Sequence, residues 1–168
     1  MKFTMPELKI GNLKARMPVI QGGMGVGISL AGLASAVANN GGIGVISAVG
    51  LGLLKKNKDN YKREDNISAL RDEIRKARSM TKGIIGLNVM VALTDFDDLV
   101  RTAYEEKIDI LFLGAGLPLK IPEGMTAEQV KNSSVKVFPI LSSARAAKLI
   151  FDYWKKHYDH IPDGVVVE

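Results

Sequence analysis

Short apolar runs alternate along the chain with segments in which apolar residues recur every three to four positions. That alternation predicts repeated βα units and a parallel sheet. The runs lie at 18–21 (PVIQ), 43–48 (IGVISA), 83–90 (GIIGLNVM), 109–114 (DILFLG), 135–141 (VKVFPIL) and 164–168 (GVVVE). Most are apolar at successive positions, the mark of strands covered on both faces. Between them, Leu30, Leu33, Ala34 and Val37 keep helical spacing after Ser29, and Asn39-Asn40-Gly41-Gly42 supplies the stop. Ile67, Leu70, Ile74 and Ala77 share one face of a helix over 66–80. Thr94 with Asp95 to Asp97 resembles a capping box ahead of a helix that buries Phe96, Leu99, Val100 and Ala103. After Ser142-Ser143 a further helix turns Leu149, Ile150, Tyr153 and Trp154 inward.

Six strands joined by helices suit two α/β architectures, an open doubly wound sheet or a closed (β/α)₈ barrel, and the pattern alone does not choose. A barrel requires eight strands and typically about 250 residues, two βα units more than are present in 168 residues. The last run, Val165-Val166-Val167-Glu168, stops without a turn or cap, so a barrel reading implies a truncated one. An arc left open exposes two raw strand edges, which a homo-oligomer or the missing half would cover. Residues 1–168 then form part of a single barrel domain, in which 50–82 is longer than a minimal connection and reads as an inserted helical segment with a polar lead-in.

Composition narrows the function classes. Apolar residues make up 46% of the chain and charged residues 24%, ordinary values for a soluble globular protein. No stretch has the eighteen or more apolar residues of a membrane span, and the N-terminus lacks the apolar core of a signal peptide. The absence of cysteine excludes disulfides and thiolate chemistry and fits a cytoplasmic location. The net charge of +5 is dispersed; its densest run, Lys55, Lys56, Lys58, Lys62 and Arg63, is broken by Asp59, Glu64 and Asp65 and holds one aromatic, Tyr61. Nucleic-acid binding calls for a basic stripe with interleaved aromatics, which this is not.

The chemistry-bearing features sit at strand ends. Gln21-Gly22-Gly23-Met24-Gly25-Val26-Gly27 follows the first strand, where glycines let the backbone turn tightly and approach a ligand. It is neither a dinucleotide-binding fingerprint nor a P-loop, and the plainer alternative is a tight structural turn. Gly41-Gly42-Ile43-Gly44 reads as a helix stop followed by close helix–sheet packing. Asn88 stands near the end of an apolar strand, where a buried amide needs a partner; it either caps the following loop or meets a flat heterocycle with donor and acceptor edges. Glu168 repeats that placement. His157 and His160 follow the last helix and show no triad or metal-ligand spacing, and the acidic pairs Asp97-Asp98 and Glu105-Glu106 read as solvated helix faces.

MPVIQGGMGVGISLAGLASAVANNGGIGVISA (17–48) resembles the opening βαβ unit of the nitronate monooxygenases, formerly 2-nitropropane dioxygenases. The flavin-dependent enoyl-acyl carrier protein reductases are similar there. GLNVMVAL (86–93), LGAGLP (113–118), VKVFPILSSARAAKLI (135–150) and PDGVVVE (162–168) continue the resemblance in order. It implies an FMN-binding (β/α)₈ barrel in which Gly22, Gly23 and Met24 line the flavin, Asn88 hydrogen-bonds its ring or ribityl chain, Ala115 borders it and Glu168 stands beside it. The expected activity is oxidation of a small-molecule nitronate. One alternative is enoyl reduction with NAD(P)H and an acyl carrier protein; another is a non-catalytic barrel fragment. The family's usual catalytic base is a histidine in a glycine-rich loop after the sixth strand, and no catalytic residue is assigned within this sequence.

Overall fold

The computed structural model describes residues 5–54 and 62–168. Lys55, Lys56, Lys58, Asp59 and Tyr61 of the basic run lie outside the described residues. The chain opens with a hairpin, β1 (Leu8–Ile10) and β2 (Leu13–Ala15), paired antiparallel across Gly11-Asn12. A two-residue Gly-Asn link between LKI and LKA is a hairpin signal in its own right, and the sequence reading passed over it.

Five of the six anticipated strands form. The first is reduced to an extended stretch whose Ile20 bridges Ile43 in parallel, with the Gln21 amide donating to the Ile43 carbonyl at 3.0 Å. Then come β3 (Gly44–Ser47), β4 (Ile85–Met90), β5 (Ile110–Gly114), β6 (Lys136–Leu141) and β7 (Val166–Val167). They form one sheet in the order β3-β4-β5-β6-β7, every pair parallel. A doubly wound sheet reverses its strand order at a switch point; this one never does, so the architecture is an arc of a (β/α)₈ barrel.

The helices α1 (Ala31–Asn39), α2 (Arg63–Met80), α3 (Phe96–Glu105), the short α4 (Ala127–Lys131) and α5 (Ala144–Tyr158) connect the strands. They cover one face of the sheet, packing on Ile46, Ile85, Leu87, Val89, Leu111, Leu113 and Val137. The first helix differs from its predicted stripe: its buried residues are Ala31, Ala34, Ser35 and Ala38, while Leu33 is 41% exposed. Gly44 explains the change, because a Cβ there would lie 1.9 Å from the Ala34 carbonyl oxygen. Helix and strand touch backbone to backbone, so only small residues fit between them. The second glycine cluster is therefore a packing device, with Gly41 at φ +89° ending α1.

Two other expectations change. The N-cap of α3 is Asp95 rather than Thr94, with no side-chain cap; the Asp95 carboxylate instead accepts from the buried Asn66 amide at 2.6 Å. On α5, Ile150 and Trp154 are buried as expected, but Leu149 is half-exposed. α4 carries a full capping box, Thr126 with Gln129, a T-x-x-Q signature legible in the sequence. Glu105 and Glu106 are not simply solvated. Arg71 reaches both of them and Arg75 holds Glu106 at 2.7 Å, tying α2 to α3. Among the described residues no helix is long and apolar enough to cross a membrane.

Candidate functional site

The inner face of the arc has two ends of different chemistry. At the amino ends of the strands the hairpin closes it: Ile10 and Ala15 pack with Ile43, Val45, Ile110, Phe112 and Phe138. The Phe112 and Phe138 rings lie 5.9 Å apart and press on Gly86 and Gly164, where a Cβ would come within 2.6 and 2.4 Å of them. At the carboxyl ends the arc opens into a cavity of about 510 Å³. That is the end at which barrels of this kind carry their ligands.

Gly22, Gly23, Met24, Asn88, Ala115 and Glu168 all line this one cavity. Its further walls are Gln21, Val45, Ser47, Met90, Phe112 and Ile140. His157 and His160 are elsewhere: His157 stacks on Tyr153 at 4.1 Å, at the far end of α5.

The glycine loop after the first strand is held by two side chains that the sequence reading did not single out. Gln21 donates to the Val45 carbonyl at 2.9 Å and to Ser29 Oγ at 3.0 Å, and its amide oxygen accepts from the Val45 N–H. The fully buried Ser29 hydroxyl donates to the Gly22 carbonyl at 3.1 Å and accepts the Met24 N–H at 2.9 Å. The loop is thus preorganised against β3, which removes from a ligand the cost of ordering it. Gly23 then passes directly over β4: a Cβ there would sit 2.4 Å from Asn88 Cβ and 2.8 Å from Cγ. The positive φ of Ala115, 54°, is a second mark of local strain beside the cavity.

Strand register places Ser47, Asn88, Phe112 and Phe138 side by side in one layer of the inner face. Half of that layer is aromatic and half polar. The Asn88 amide makes no hydrogen bond among the described residues, so it does not cap the loop after its strand. Ser47, 2% exposed, has a buried hydroxyl with no partner, the single such side-chain atom among the described residues. Native buried polar groups are nearly all paired, so the unpaired Ser47 hydroxyl, next to the part-exposed and unpaired Asn88 amide at the cavity, marks this wall as suited to a polar ligand. Phe112 supplies a flat apolar wall next to them.

A family model described as nitronate monooxygenase matches residues 7–168. Among solved structures, the chain superposes on FabK from Thermotoga maritima with a TM-score of 0.61 and 29% identity, covering 81% of this chain and 37% of that one. A nitroalkane oxidase from Streptomyces ansochromogenes superposes with a TM-score of 0.62 over 86% of this chain and 44% of that one; at 15% identity it attests to the fold alone. The chain therefore spans less than half the length of either structure. No curated protein sequence matches it.

Proposed function

Because the chain belongs to the nitronate monooxygenase family, we propose that the cavity at the carboxyl ends of its strands holds FMN and that the complete enzyme oxidises small nitronates. The observation that carries this reading is the unpaired Asn88 amide, lying under a loop glycine whose missing side chain leaves it open to the cavity. An amide offers donors and an acceptor together, which suits a flat heterocycle with both kinds of edge atom. A bound flavin would supply the electron transfer between nitronate and dioxygen.

The chain's own residues bind and orient. Gly22, Gly23 and Met24 line the flavin from the first loop, fixed in place by Gln21 and Ser29. Asn88 hydrogen-bonds its ring or ribityl chain, while Ala115 and Glu168 border it. Phe112, Val45 and Ile140 keep the floor of the cavity apolar and exclude water from below. The base that handles the substrate proton is not assigned within residues 1–168.

The resemblance to flavin-dependent enoyl-acyl carrier protein reductases, together with the 29% identity to FabK, favours a second reading. There the same cavity serves hydride passage from NAD(P)H to an enoyl thioester carried by an acyl carrier protein. Oxygen uptake with propyl nitronate and NAD(P)H oxidation with crotonyl thioester separate the two in the purified protein. Nitronate-dependent oxygen uptake without NAD(P)H is the expected result; thioester-dependent NAD(P)H consumption alone would replace it with the second reading.

A further inference from the structure

The polar side chains of the cavity are not equivalent. Gln21 is fully engaged in holding the first loop, and Glu168 is exposed at the rim. Ser47 and Asn88 are the two left unpaired, and they are register partners on adjacent strands, β3 and β4. Neighbouring parallel strands are about 4.8 Å apart, so the two side chains can each reach a separate polar atom on one edge of a flat ring. They make no hydrogen bond to each other. The Ser47 hydroxyl is buried from solvent, and an unpaired hydroxyl in such a place weakens the ligand-free protein.

Resting on the FMN reading above, we infer that Ser47 is a second flavin-binding residue, its hydroxyl pairing with the polar edge of the flavin ring beside Asn88. That edge carries carbonyl oxygens and an N–H, and the serine and the asparagine together present donors and acceptors to it. Phe112, in the same layer of the inner face, offers an apolar wall beside them. Ser47 is thereby a recognition residue in a strand, GVIS, that is buried throughout.

This assignment makes two effects of Ser47→Ala run in opposite directions. Removing an unpaired buried hydroxyl leaves the flavin-free protein as stable as before or more stable. Removing a hydrogen bond to bound flavin weakens binding by about three- to tenfold. The experiment compares the full chain and its Ser47→Ala variant in FMN titrations followed by fluorescence quenching. It adds thermal unfolding of the flavin-free forms and infrared spectra of the bound flavin carbonyls. The expected result is weaker binding, an unchanged or raised flavin-free Tm, and a carbonyl band moved to higher frequency. Unchanged affinity with an unchanged band overturns the role of Ser47 while leaving FMN binding intact. A lowered flavin-free Tm overturns it too, by showing that the hydroxyl has a structural partner. Failure of the wild-type chain to bind FMN removes both this role and the reading on which it rests.

Discussion

The two ends of the inner face are made from the same five strands and differ in how completely they are satisfied. At the amino ends the β1–β2 hairpin, Ile110, Phe112 and Phe138 fill the space, and glycines at 86 and 164 are shaped to the aromatic rings. At the carboxyl ends the strands finish in Ser47 and Asn88, which lack partners, in a glycine loop held from outside, and in Ala115 at positive φ. The packed end contributes stability and the open end forgoes it. An unpaired buried hydroxyl and a non-glycine residue at positive φ stand together where a ligand is expected, which is how a binding site differs physically from a core.

Substitutions at the two ends should therefore divide cleanly between stability and binding. The largest effect is expected outside both ends, where Gly44→Ala places a carbon 1.9 Å from the Ala34 carbonyl oxygen of the helix layer. The backbone on both sides must move, at a cost above about 3 kcal/mol, and soluble yield and thermal unfolding read it directly. Next comes Phe138→Ala in the packed end, expected to cost about 3 kcal/mol of stability in chemical denaturation. Retention of wild-type stability in this variant would show that the aromatic layer is not the closure it is taken to be.

Asn88→Ala should behave in the opposite way. With no protein hydrogen bond to lose, the flavin-free protein keeps its unfolding free energy to within about 0.5 kcal/mol. Loss of its hydrogen bonds to flavin weakens FMN binding about tenfold, by about 1.4 kcal/mol. A loss of stability as large as the loss of binding would erase the contrast between the two ends.

The smallest effect concerns the outer layer. The hydrogen bond from Arg75, reinforced by Arg71, holds the Glu106 carboxyl below the ordinary glutamate range, burial opposing it. A carboxyl lowered in the folded state contributes stability that is complete above its unfolded pKa and disappears as the pH falls through the lowered one. Glu106→Gln should cost about 1 kcal/mol at neutral pH, and this difference from wild type should vanish in acid. A cost that persists unchanged at low pH would assign the glutamate a packing role instead.

Much of this was legible in the sequence, and what was not has identifiable causes. Strand positions could be read because both faces of the sheet are covered, leaving runs such as IGVISA and DILFLG apolar throughout. The loop at 21–27, Asn88 and Glu168 could be singled out because they stand at strand ends, whereas Ala115 came only from the resemblance to the family. Helix faces were read less well. Leu33 and Leu149 looked inward by hydrophobicity, but backbone contact at Gly44 hands the inner face of α1 to alanines, and Leu149 projects to solvent. The arginine ladder on Glu105 and Glu106 joins residues about thirty positions apart, beyond any local pattern. Ser47 carried no signal, since one serine in an apolar run is ordinary until its hydroxyl is seen to have no partner.

The most direct test of the central claim is the visible spectrum of the purified protein, followed by release and identification of any chromophore. Flavin bands near about 370 and 450 nm with FMN as the released species are the predicted result, with Asn88→Ala purifying in a paler form. A colourless protein that takes up no added FMN would contradict the account, leaving the open end of the arc to bind some other ligand.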